Sequence, residues 1–170
     1  MTMVPWLEIL IVIYAYTGLV VGLLLSKIAH EELKPGKKYF HIAKIIVIFS
    51  LLMFTYLFGL KNLDFSSFLW AFIGMMLGLF KVNEFLFLGI GTVFFSARLS
   101  IVFAALVFAY GMICQAVDFS KKIFFQNSLY YLIPVLFLFS FNILRVFTSE
   151  YSIPLLFGVF MAYSYKYIVE

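Results

Sequence analysis

The chain has 170 residues, 65% of them hydrophobic and only 12% charged, with a net charge of +4 and a mean hydropathy of +1.11. Soluble domains carry about 25% charged residues, so this chain has too little polar surface to cover itself in water. Its basic residues are spread over segment ends rather than gathered on one face, which assigns the positive charge to membrane orientation and excludes nucleic acid as a partner.

The expected fold is therefore all-α: a polytopic integral membrane helix bundle, one transmembrane domain over residues 1–170 in the cell membrane. Charged residues act as punctuation between seven apolar segments, at 4–28, 39–60, 65–80, 85–97, 100–117, 128–144 and 151–168. Helices are the default, because backbone groups in lipid must be satisfied within the segment and the alternating pattern of a membrane barrel is absent. The first segment lacks the basic start of a secretory signal and is too long for a signal core, so it is taken as the first span. Residues 29 to 38 separate it from the second, and Pro35-Gly36 reads as the turn between them.

The third and fourth segments are short. At 1.5 Å per residue they rise about 24 Å and about 20 Å, against roughly 30 Å of hydrocarbon. Two plain crossings are expected; the alternative is a re-entrant hairpin with Lys81 and Glu84 at its tip. With seven crossings and the N-terminus outside, Lys27, Lys34, Lys37, Lys38, Lys44, Lys81, Lys121, Lys122 and Lys166 face the cytoplasm, while Lys61, Arg98 and Arg145 face out. That asymmetry predicts N-terminus out and C-terminus in. Tyr163, Tyr165 and Tyr167 fit an aromatic belt at the inner end of the last span, and Trp6 and Tyr151 fit one at the outer surface.

Small residues spaced by four, Gly18, Gly22 and Ser26 on the first span and Gly74 and Gly78 on the third, make stripes on which another backbone can pack closely. Gly89-Ile90-Gly91-Thr92 sits in the shortest segment, where unwound backbone could line a site. Gly89 and Gly91, with Tyr110, Gln115 and Asn142 on the fifth and sixth spans, are the candidates for a ligand path. Lys34, Lys37, Lys38, His41 and Lys44 crowd the inner headgroup level, where each lysine contributes on the order of 1 kcal/mol of attraction to anionic lipid. Arg145 is placed to pair with Glu150 or Glu8 across the outer face.

Cys114 is the lone cysteine, so no intrachain disulfide or multi-thiolate metal site can be built, and no cofactor is expected. HExxH, GxSxG and paired intramembrane aspartates are all missing. The seven-segment count resembles that of triple-helix-bundle sugar transporters, but their Pro-Gln dipeptide is absent: Val135 follows Pro134 and Leu155 follows Pro154. The sequence thus predicts a non-enzymatic, transporter-like protein or a membrane subunit of a larger assembly, with membrane lipids and a second copy or another membrane protein as partners. The alternative is a membrane enzyme acting on lipid headgroups at the cytoplasmic face through Glu31, Glu32, His41 and Asp118.

Overall fold

The computed structural model describes residues 5–59, 64–80, 82–95, 97–117, 120–141 and 149–169. These form seven α-helices: α1 Pro5–Ile28, α2 His30–Gly59, α3 Phe65–Leu79, α4 Glu84–Phe94, α5 Ala97–Val117, α6 Lys121–Phe141 and α7 Ser149–Val169. Three contain stretches long and apolar enough to cross a membrane, Ile9–Ile28, Pro35–Leu57 and Tyr151–Val169, while Phe65–Leu79, Glu84–Phe94 and Ile101–Val117 are shorter apolar helices.

The expected turn at Pro35-Gly36 is not made. The chain bends instead at Ala29, whose N–H donates to Leu25 O at 2.9 Å, and α2 runs unbroken through Pro35. Pro35 is the sixth residue of α2, past the orphan N–H groups of the first turn, so it forfeits one intrahelical bond, and the helix continues through it. The polar residues ahead of Tyr39 thus extend the helix beyond its apolar part. In the same way α6 starts seven residues before the expected 128, on a first turn containing Lys121 and Lys122.

Pairwise contacts give the directions of the helices. Gly18 meets Phe108 and Gly22 meets Met112, so α1 and α5 are parallel; Gly74 meets Leu155 and Gly78 meets Val159, so α3 and α7 are parallel. Helix α2 is antiparallel to α7, with His41 beside Tyr167 and Tyr56 beside Phe157, and antiparallel to α5, with Phe54 beside Phe103 and Lys44 beside Tyr110. Helix α4 is parallel to α6 and antiparallel to α5. Successive helices therefore alternate in direction.

The two small-residue stripes do not meet each other. The Gly18 and Gly22 stripe takes the backbone of α5, and the Gly74 and Gly78 stripe takes that of α7, which answers with Gly158 against Ala71 and Met75. Ser26, at the end of the first stripe, is buried and returns its hydroxyl to Leu23 O at 2.8 Å. Apolar side chains cover the outside as well as the core: Trp6, Leu10, Phe68 and Leu136 are exposed while Leu51, Phe103, Leu156 and Val159 are buried. Several hydroxyls inside the helices return to their own backbone, as in Ser50 to Ile46 O, Thr55 to Leu51 O and Thr92 to Gly89 O, which satisfies their donors locally.

Helix α4 is short and central, touching α1, α5, α6 and α7, with Phe85, Phe87, Leu88 and Thr92 buried. The α3–α4 turn reaches the level of Tyr163 on α7, whose hydroxyl donates to Val82 O at 2.9 Å.

Candidate functional site

Helix α4 is started by Asn83. Its Oδ1 accepts from Phe85 N at 2.9 Å, an N-cap, and its Nδ2 donates to Asn127 Oδ1 at 2.9 Å, fixing the helix start to α6. The cap leaves Glu84 as the first helical residue, where the positive end of the helix favours a carboxylate.

Both oxygens of Glu84 are occupied. Tyr110 of α5 donates to Oε2, Tyr167 of α7 donates to Oε1, and the two hydroxyl oxygens lie 3.2 Å apart. Lys44 of α2 places its Nζ 3.8 Å from Oε2, 4.3 Å from the centre of the Tyr167 ring and 5.5 Å from that of Tyr110. One carboxylate thus ties four helices together. The Glu84 and Lys44 side chains are 20% and 23% exposed, so little water screens either charge and each depends on the other and on the tyrosines. Ring faces add cation–π attraction for the ammonium.

Two adjoining clefts open onto this cluster. One, of about 200 Å³, is lined by Glu84, Lys44, Asn83 and Asn127 with Val82, Phe85, Cys114 and Ile123. The other, of about 180 Å³, lies between α2 and α5 and is lined by Lys37, His41 and Lys44 with Phe40, Ile113, Cys114 and Val117. Lys44 and Cys114 form the wall between them. Tyr110 stands seven residues before the end of α5 at Val117, about 10 Å along that helix, and Tyr167 stands two residues before the end of α7.

Of the residues singled out for a ligand path, Tyr110 is in this cluster and the others are not. Gly89 and Gly91 lie in regular helix, the first against the Tyr131 carbonyl and the Pro134 ring, the second against the Phe103 ring and Leu156. Neither belongs to unwound backbone and neither lines the two clefts, because close packing of a short helix uses up the space that glycine leaves. Gln115 is buried with its Cβ against Gly22, facing α1. Asn142 and Arg145 lie outside the described residues.

The basic group on α2 divides. Lys37, Lys38 and His41 are exposed, whereas Lys44 turns inward onto Glu84; the side chain of Lys34 lies outside the described residues. The tyrosine belt divides too. Tyr165 faces out at 63% exposure, but Tyr163 and Tyr167, one helical turn apart, point into the bundle.

Sequence reasoning missed the Lys44–Glu84 pairing across forty positions. The available signal was Lys44 itself, a charge followed directly by Ile45-Ile46-Val47-Ile48 inside an apolar segment, and intramembrane charges are by default functional. Among the described residues no group of three His, Cys, Asp or Glu side chains is close enough to hold a metal ion. No family model, curated protein or solved structure matches the chain.

Proposed function

We infer that the chain is a seven-pass protein of the cell membrane, N-terminus out and C-terminus in, and that it acts as a non-enzymatic, transporter-like protein taking a small polar solute at the cytoplasmic end of the bundle. The alternating helix directions and the lysine asymmetry support the topology. With α1 entering from outside, Lys37, Lys38, Lys121, Lys122 and Lys166 fall at one end of the bundle. In this topology α3 and α4 cross as the short pair, with the bilayer thinned around them.

The observation that carries the function is Glu84, a carboxylate on the central half-length helix, accepting one tyrosine hydroxyl at each oxygen and opening onto a cleft with Lys44, Asn83 and Asn127. A cleft that offers a carboxylate, an ammonium and two amides within about 200 Å³ suits a small solute bearing both a donor or cation and an acceptor.

Two measurements test these statements. In a Cys114→Ala background, Lys61→Cys is expected to react with a membrane-impermeant maleimide on intact cells and Lys122→Cys to react only after permeabilisation. Labelling of position 122 from outside reverses the orientation. Native mass spectrometry of the detergent-purified chain should show a small non-lipid adduct at about one per chain that is lost in Glu84→Gln. Identical spectra for the two proteins, with lipid adducts alone, overturn the solute reading.

A further inference from the structure

The second cleft, between α2 and α5, has a different chemistry from the first. Lys37, His41 and Lys44 recur at i, i+4 and i+7, which places them on one stripe of α2, and all three line the cleft. Opposite them α5 offers Ile113, Cys114 and Val117, which bring no carboxylate. Among the described residues the anion paired with this stripe is Glu84, behind Lys44 and 3.8 Å from its Nζ. The cleft thus gathers two ammonium groups and an imidazole around a space of about 180 Å³, with an apolar rim from Phe40, Ile113 and Val117.

We propose that this cleft binds a phosphate group, its oxygens on Lys37, His41 and Lys44 and its organic part on the apolar rim. Charge-assisted bonds from several donors to one oxyanion are short and strong, and the cleft is large enough for a phosphate and the first carbons attached to it. Lys38 is exposed on the same turn but does not line the cleft, so it supplies only general surface charge. A phosphate seated here competes with Glu84 for Lys44 and links the two clefts through that one ammonium. Lipid headgroups and free phosphate compounds share this chemistry. The binding chemistry stands apart from the solute reading above, and only the lipid source rests on the cytoplasmic placement of α2.

The test uses the purified full chain in detergent and native mass spectrometry with added dioleoyl phosphatidic acid. Dioleoylglycerol, which has the same acyl chains without phosphate, is the control, and inorganic phosphate is the competitor. The wild type is expected to retain the phosphatidic acid about tenfold better than the diacylglycerol. Lys44→Gln and the double variant Lys37→Gln/His41→Gln should each lower that preference severalfold, while Lys38→Gln keeps it. The double variant leaves the Glu84–Lys44 pair intact and so reports on the cleft even where Lys44→Gln weakens the fold. Displacement by millimolar inorganic phosphate identifies a soluble phosphate compound as the ligand, and resistance to it identifies a lipid. Equal retention of the two lipids, or an equal loss in Lys38→Gln and the double variant, overturns the proposal.

Discussion

Gly158→Leu is expected to cause the largest loss of stability in the chain, at least about 3 kcal/mol, read as a lowered midpoint in SDS-driven unfolding from mixed micelles. At position 158 even a Cβ would overlap the Ala71 carbonyl oxygen and come within 2.7 Å of Met75 N. Both are backbone atoms, so no rotamer change can relieve the clash and α3 has to move away from α7. Separation also undoes the contacts of Gly74 with Leu155 and of Gly78 with Val159 along the same interface. In lipid no hydrophobic drive re-forms such an interface, because tails solvate the separated helices as well as the helices solvate each other. Gly158→Ala should already cost about 2 kcal/mol. Gly36→Ala is the control with the opposite sign: a Cβ there meets only the Phe40 ring at 3.5 Å, and alanine in a helix gains about 0.5–1 kcal/mol over glycine. Equal midpoints for Gly158→Leu and the wild type would show that α3 and α7 do not pack as described.

The second large effect is Glu84→Ala. The change removes the acceptor of two tyrosine hydroxyls and leaves the Lys44 ammonium with ring faces but no anion. Stranding buried donors costs about 1–3 kcal/mol each, and the partial exposure of the site keeps the total near about 3 kcal/mol. Glu84→Gln retains an acceptor oxygen and the shape of the side chain, so about half of that loss is expected. The double variant Glu84→Ala/Lys44→Met should recover part of the stability, because it removes the uncompensated charge together with its partner. The same unfolding assay reads all three. Additive effects of the Glu84 and Lys44 changes would mean that the two groups are not coupled, and the site would lose its basis.

The small-residue stripes were readable as packing surfaces because residues four apart in a helix share a face whatever the tertiary fold. Which helix each stripe receives was not readable, since glycine on α1 says nothing about Phe108 or Met112, ninety positions along. Gly89 and Gly91 show the same limit from the other side. A glycine pair in a short segment fits both an unwound site and a tightly packed helix, and the difference lies in the neighbours, here Tyr131, Pro134, Phe103 and Leu156. The Pro35-Gly36 turn was misplaced because local turn chemistry gave way to the continuity of a long helix. Tyr167 belongs with the polar centre and Tyr163 with the α3–α4 turn rather than with a belt, and their spacing of four, against the single Tyr165 between them, was the clue.

The sequence by itself determined the helical class, the approximate place of most of the seven segments and the close-packing stripes. Each of these follows from composition and from the periodicity of one helix, which are properties of neighbours along the chain. Only the tertiary structure decided that Glu84, Lys44, Tyr110 and Tyr167 converge. Their convergence depends on how far a half-length helix is drawn into the bundle and on which faces of three other helices turn toward it, and these are set by packing between segments far apart in sequence.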